Sequence, residues 1–475
     1  MEKKQKNKQQ TVIQLLKKQQ IRDVKDLDSY KLSICHPCSA GIDLGSREIY
    51  VGLNPHIAAE MGLPIVHVFD TFTSGLLACR DLLISCGITT VAMESTSVYW
   101  TTIFSILESS NIEVCLVNPK KFRMVPGRKT DILDCQWLQT LHLYGLLRGS
   151  FHPNEQICQL RSYMRERDRM IKDRSRYVQR MQKSLIKMNL LLVNVIDDIT
   201  GKTGMSIIRS ILQGETDPKI LASHRDARCK KSEEEIAESL NGYYKEDQLY
   251  LLKLNYETFT FFDNKLQEID AQISALLNQF PLKKEQTETR PESTKSSYKY
   301  RGKNSLRTKE NLDDLLYRIL GTDMTTVTGL QVNTILQIIS EVGTDMSKFP
   351  SANHFASYLG FVPRNKITGG YVLSSRTDRI KSPAAQAFKK VVPSISQRKT
   401  ALGAFYRRIV PRIGTGKAIV AVCRKLAIIF YNTLVRGTLF VEQGEVYYKD
   451  KQVEREKILV AKLAKKHNIQ IITEQ

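Results

Sequence analysis

The stretch from Ser39 to Val117 restricts the fold more than any other part of the chain. Its apolar residues form short β-type runs: Ala40-Gly41-Ile42-Asp43-Leu44-Gly45, then Ile49–Leu53, then Ile65–Phe69. After these, helix-patterned segments (Gly75–Leu83 and Val98–Leu107) alternate with the strand patterns Thr89–Glu94 and Ile112–Val117. Strands first in series and then in alternation with helices predict a mixed α/β sheet flanked by helices.

Four acids occupy particular places in this pattern. Asp43 lies in the first strand, and Glu94 ends a later, central one. Asp131 and Asp134 open a helical pattern that continues through Leu133, Trp137, Leu138 and Leu141. Carboxylates at i and i+3 share a helix face, with Cβ atoms roughly 5–6 Å apart. They repel one another unless a cation sits between them, and oxygen-only ligands suit the hard ion Mg²⁺. In an RNase H-like sheet these positions converge at one edge, where four carboxylates can hold two Mg²⁺ ions at a phosphodiester. Each acid singly also fits a surface charge, and Asp in a first turn complements the helix dipole. Glu94 fits that plainer reading worst, because it interrupts an apolar strand. Gly41–Ser46 also resembles the first phosphate loop of sugar kinases and actin-like ATPases. The second Asp-x-Gly loop of those folds is missing, and Gly201-Lys202-Thr203 and Gly416-Lys417-Ala418 lack the earlier P-loop glycine. A nucleotide-dependent phosphotransferase is therefore disfavoured.

Composition points to a polyanion. Lys and Arg number 71 against 49 Asp and Glu, a formal net charge of +22 spread along the chain. Each phosphate contacted releases condensed counterions, so nucleic acid is the first partner to consider. No apolar run is read as long enough to span a bilayer, and the Lys/Gln-rich start lacks a signal-peptide core, so no membrane association is expected. The nine dispersed cysteines make no disulfide framework, and Cys79, Cys115 and Cys423 read as small core residues. Cys35-His36-Pro37-Cys38 has CxxC spacing without a second Cys/His pair at zinc-site distance. The expectation is a cytoplasmic protein associated with the nucleoid.

Downstream, the periodicity changes. Ile157, Leu160, Met164, Ile171, Val178, Met181, Leu185, Met188 and Leu192 follow 3/4 spacing, with Arg167 and Arg174 at two seam positions. Leu252, Phe259, Phe262, Leu266, Ile269, Ile273, Leu276 and Phe280 keep the same rhythm, which is that of a coiled coil. Arg165, Arg169, Lys172, Arg176, Arg180 and Lys183 fall on the outer face of the first run. Residues 198–244 between the runs read only as short helices. Residues 283–311 are polar and read as a disordered linker. Val327-Thr328-Gly329-Leu330 before a helix at Val332–Glu341 looks like a helix-hairpin-helix turn that offers N–H groups to phosphate, though such turns also serve packing alone. Basic residues recur at Arg407, Arg408, Arg412, Lys417, Arg424 and Lys425, the last three on a helix expected over Lys417–Val435. The tail reads as a short hairpin and a charged helix.

Asp43 in GIDLG, Glu94 in AMESTSVYW, VNPKK at 117–121 and KTDILDCQWL at 129–138 together resemble the DEDD transposases of the IS110 insertion-sequence group. Phe355–Pro363 is similar to that group's approach to its second catalytic element, a Ser-Gly pair whose serine attacks the scissile phosphate. Here the matching stretch is Arg364-Asn365-Lys366-Ile367-Thr368-Gly369-Gly370, so Thr368 stands at the nucleophile position, a departure from the pattern. The resemblance implies an RNase H-like (RuvC-like) α/β domain, an α-helical coiled-coil arm and a mainly α-helical C-terminal transposase domain. The corresponding boundaries are a basic arm at 1–38, the catalytic domain at 39–150, the helical region with its insert at 151–282, the linker at 283–311, the C-terminal domain at 312–437 and a tail at 438–475. It implies Asp43, Glu94, Asp131 and Asp134 as ligands of Mg²⁺, with two ions and with Mn²⁺ as a substitute, and Thr368 as the residue forming a covalent phosphoenzyme. Lys120, Lys121, Arg123, Arg128, Lys129, Arg364, Lys366, Arg376 and Arg379 are the expected nucleic-acid contacts. Implied partners are donor and target DNA, a structured guide RNA and further copies of the chain in a dimer or tetramer. A Holliday-junction-like endonuclease using water, and an inactive nucleic-acid-binding relative, are the alternatives; Ser374 or Ser375 could attack in place of Thr368.

Overall fold

Alternation along β1 (Ser39–Leu44) sorts the first part of the chain into two layers. Ala40, Ile42 and Leu44 point to one side of the sheet and are buried there, while Ser39, Gly41 and Asp43 point to the other. The computed structural model describes residues 33–95, 98–118, 130–285, 290, 302–308, 311–377, 382–437 and 440–467. The chain forms two compact units, Met1–His152 and Pro153–Gln475.

In the first unit β1 is joined by β2 (Glu48–Leu53), β3 (Val66–Asp70), β4 (Thr90–Glu94) and β5 (Glu113–Val117) in the order β3-β2-β1-β4-β5. The pairs β1–β2 and β2–β3 are antiparallel, whereas β1–β4 and β4–β5 are parallel. The mixed sheet expected from the sequence is present. A helix not anticipated, α1 (Pro55–Met61), follows β2, with the Asn54 side chain capping its first turn. Helices α2 (Thr73–Ser85) and α3 (Trp100–Ser109) supply Leu76, Cys79, Leu83, Ile103 and Leu107 to a core with Ile42, Val51, Val91 and Met93. On the opposite face lies α4 (Asp131–Leu143), whose Leu138 packs with Ala92 and Val117. Cys35 and His36, at the end of the expected basic arm, donate their backbone N–H groups to the Leu143 carbonyl. Burial pushes the thiols of Cys79 and Cys423 up to about 12, as inert core residues require.

The second unit begins with α5 (Glu155–Lys187), which lies antiparallel to α9 (Glu246–Leu277) within the same chain. The two seam arginines are answered across the pair. Arg167 donates to buried Asp270 and Arg174 to Asp263, so two charges that interrupt the apolar seam fix its register instead. Between these helices, α6 (Lys202–Leu212), α7 (Pro218–Ala222) and α8 (Glu233–Ser239) enclose a core of Ile207, Ile211, Leu221 and Ile236 against Met181, Leu185 and Leu252. Part of the expected linker is seated on the helical pair. Asn304 accepts from Arg167 and Arg174, Arg307 pairs with Asp263, and Leu306 is buried. The remaining guanidinium donors at the seam, the Arg307 N–H to Asp270 and the buried Leu306 tie this polar stretch to the pair.

The remainder comprises α10 (Leu312–Leu320), α11 (Val332–Val342), α12 (Ala352–Tyr358), the hairpin β6 (Lys366–Thr368) and β7 (Tyr371–Ser374), α13 (Pro383–Ser396), α14 (Ala401–Ile413), α15 (Thr415–Arg436) and α16 (Gly444–His467). The turn read as a phosphate-binding hairpin packs inward: a Cβ on Gly329 would lie 2.5 Å from Val391, and Thr328 is buried. Close approach of α13 accounts for that glycine. The expected tail hairpin is not found among residues 440–443, which lead without pairing into α16. Contrary to the sequence reading, α15 is long and apolar enough by length and composition to cross a membrane. Arg424 and Lys425 interrupt it, and Val422, Leu426, Phe430 and Leu434 are buried in this unit's own core.

Candidate active site

Two glycines bring the acids together. Gly41 on β1 and Gly52 on β2 are register partners, both on the α4 side of the sheet. A Cβ on Gly41 would fall inside the Cys135 carbonyl oxygen and the Gln139 nitrogen, and one on Gly52 would lie 3.1 Å from Cys135. The bare backbone therefore lets α4 rest directly on the two strands. One turn back from Cys135, Asp131 and Asp134 occupy the first turn of α4, where the Thr130 side chain accepts from the Leu133 N–H at 3.3 Å.

Asp43, two residues beyond Gly41, shares its face. Ile42 pairs with Met93, so the parallel register carries Asp43 to Glu94, on the same side and buried at the end of β4. The electrostatics agree with this convergence. Burial raises the Asp43 carboxyl first, and the charges of Glu94, Asp131 and Asp134 add to it, bringing it from 3.8 to about 6. The Leu44 N–H, donating to Asp43 Oδ1 at 3.0 Å, opposes the rise. Tyr50 is the cross-strand partner of Asp43. Its phenol donates to Glu48 at 2.8 Å and is raised chiefly by that bond, with Asp131 and Asp43 contributing. Sequence reasoning missed Tyr50 and the two glycines, although the glycine spacing in GIDLG and YVGL was the available signal.

Glu94, Asp131 and Asp134 are each close enough to act on Asp43, yet among the described residues no three His, Cys, Asp or Glu side chains are gathered tightly enough to hold a metal ion. The donor set still fits Mg²⁺, which is held through one or two carboxylates together with waters and substrate phosphate rather than by a closed protein cage.

Thr368 belongs to the second unit. It ends β6, is exposed, and pairs with Tyr371 across the Gly369-Gly370 turn. Both turn glycines have positive φ, +55° and +85°, as a two-residue hairpin turn of the primed type requires. Arg364, Lys366 and Arg376 are exposed around this hairpin, and the Arg364 N–H donates to the Arg376 carbonyl at its base. Ser374 accepts from the Arg376 N–H at 3.4 Å. Lys120, Lys121, Arg123, Arg128, Lys129 and Arg379 lie outside the described residues. On α5, Arg169, Lys172 and Arg176 pair with Glu166, Asp168 and Asp173, and Arg165 with Glu341. Among the described residues only Arg180 and Lys183 of that expected basic face make no ion pair, so most of its charge is neutralised locally.

A family model of the IS110-group DEDD transposases matches residues 40–189, the span that holds all four acids. A second, described as transposase IS116/IS110/IS902 family, matches residues 322–406, the span that holds Thr368. No curated protein matches the chain. The two matches fall in the order, and on the motifs, that carry the acids and the hydroxyl: the chain belongs to the IS110 family of DEDD transposases, enzymes that act on DNA.

Proposed function

We propose that this transposase cleaves and rejoins DNA strands by Mg²⁺-dependent chemistry on an RNase H-like domain. The observation that carries the reading is Asp43, a half-buried carboxyl raised to about 6 with Glu94, Asp131 and Asp134 all acting on it. The strand order β3-β2-β1-β4-β5, with three antiparallel strands and two parallel ones, supports the fold assignment. Asp43, Glu94, Asp131 and Asp134 would hold the metal, with Mn²⁺ able to replace it. When bound, the ion neutralises charge on phosphate oxygens and favours departure of the leaving oxygen.

Thr368 supplies the attacking hydroxyl. Its Oγ1 bonds to phosphorus as the phosphodiester P–O bond to the leaving strand breaks, and a proton passes to the leaving oxygen. A second strand's hydroxyl then attacks the same phosphorus and releases Thr368, so the bond energy is conserved for rejoining. The exposed arginines and lysine of the hairpin suit phosphate contact. Donor and target DNA are the substrates, and a nucleoid-associated location goes with that reading. A structured guide RNA is the further partner that the net charge of +22 would accommodate. Oligomerisation to a dimer or tetramer would use the outer side of α9, where Tyr250, Leu254 and Phe261 are exposed at 68%, 48% and 55%.

The test is to trap protein–DNA adducts on DNA carrying the element's ends and to map the linked peptide. An adduct on Thr368, absent in Thr368→Ala and retained in Thr368→Ser, is expected. Cleavage without an adduct would transfer the chemistry to water and to a resolvase-like nuclease.

A further inference from the structure

Helices α14, α15 and α16 surround a cavity of about 600 Å³ that the strand-transfer chemistry does not use, and all of its lining but Ala401 lies beyond residue 406, where the second family match ends. Lys425 of α15 and Tyr447, Tyr448, Lys451, Glu454 and Arg455 of α16 line it. Tyr447, Lys451 and Arg455 recur every four residues and so form one stripe of that helix.

The charge here is one-sided. Arg408 donates to the Tyr448 hydroxyl at 2.8 Å and lies over the Phe405 and Tyr448 rings, and Lys425 Nζ sits 4.7 Å from the Phe405 centroid. Arg424 donates to the Asn353 amide oxygen at 3.4 Å. The nearby acids are engaged: Glu445 by Arg407 and Lys449, Glu454 by Lys451, and Glu442 by the Ala401 N–H. Among the described residues, Arg408, Arg424, Lys425 and Arg455 make no ion pair. Partial burial in the cavity, then the charges of Arg455, Arg408 and Arg424, hold the Lys425 ammonium below its ordinary value. Lys425 and Arg455 in the cavity wall, with Arg408 and Arg424 near enough to act on Lys425 and with half-exposed tyrosine faces beside them, are complementary to an anion that also carries flat rings. A volume of this size admits a nucleotide.

We propose that this cavity binds a single-stranded nucleic acid, with a phosphate held by Lys425 and Arg455 and an unpaired base stacked on Tyr447. Stacking requires a base free of its partner, which a duplex does not offer. The residues proposed to hold the ligand, Lys425, Tyr447 and Arg455, lie beyond the spans matched to the family, and the proposal rests on the proposed function only for the class of ligand.

Binding of labelled oligothymidylate and oligouridylate to the full-length protein, followed by fluorescence anisotropy from about 50 to about 300 mM salt, tests this. Lys425→Gln combined with Arg455→Gln should weaken binding about tenfold or more and flatten the log–log salt slope by about 0.7 for each phosphate that is no longer neutralised. Tyr447→Leu should weaken binding about tenfold with the slope unchanged, since stacking releases no counterions. Tyr447 is 42% exposed, so that variant keeps its fold even if the charge variant does not. The ratio of the two probes tells DNA from RNA. Wild-type affinity and slope in both variants overturn the site and leave the transposase reading intact, whereas a wild-type protein that binds neither probe overturns the site and counts against that reading too. Loss of anionic-vesicle binding with oligonucleotide binding unchanged would likewise overturn it.

Discussion

Gly41 and Gly52 stand side by side across the β1–β2 ladder, and the absence of both side chains seats α4 against the sheet. The position of Asp131 and Asp134 follows from this close packing. A methyl group at Gly41 must displace the helix backbone itself, which has no flexible end to yield.

Gly41→Ala should therefore cost about 2–4 kcal/mol, near the upper range of overpacking. Gly52→Ala, with 3.1 Å of clearance, should cost less. Thermal denaturation of both variants checks the order, and equal stability of Gly41→Ala and wild type would contradict the close approach.

Asp43 gives a pH dependence with a definite sign. Its folded pKa of about 6 exceeds the ordinary 3.8, so the folded chain holds this proton more tightly. Its stabilising contribution is complete below about 3.8 and is lost as pH rises through about 6. Asp43→Asn removes the cost of the ionised form. In chelator at pH 8 the variant should be more stable by about 1 kcal/mol, a value discounted for solvent screening of a half-buried group. The difference should vanish by pH 4, and millimolar Mg²⁺ should stabilise wild type but not the variant. Melting curves across pH, with and without the metal, measure all three.

The buried pair Arg167–Asp270 should behave asymmetrically. Arg167→Met leaves a carboxylate that is 1% exposed without its main cation and should cost about 3–5 kcal/mol. Adding Asp270→Leu should recover much of that loss. Denaturant unfolding of the single and double variants gives the coupling directly.

Because Leu266 and Ile273 are buried within the chain's own helical pair, changing them would unfold it and say little about assembly. Leu254→Glu with Phe261→Glu instead alters exposed positions. Light scattering should show a smaller species with unchanged thermal stability, and an unchanged mass would confine the helical pair to a single chain.

The parts of the site legible in the sequence were those fixed by local pattern. Asp43 and Glu94 could be placed because strand alternation and a charge within an apolar run are read over a few residues, and Asp131 and Asp134 because they open a helix. What escaped depended on distant partners. Gly41 and Gly52 gain their meaning from a helix far downstream, and the partners of Arg167 and Arg174 follow from an antiparallel register that heptad spacing does not specify. Leu306 and Asn304 were hidden in a stretch polar enough to read as linker, and the cations around Lys425 come from three separate helices.

Strand cleavage by Asp131→Asn, measured beside salt-dependent DNA binding on the same preparation, tests the acid site most directly. Cleavage with Mg²⁺ or Mn²⁺ should fall about a hundredfold or more while binding stays within about twofold of wild type, as expected when an electrostatic contribution to the transition state is removed and the binding surface is kept. Cleavage at the wild-type rate in Asp131→Asn would contradict the metal site and the transposase chemistry built on it.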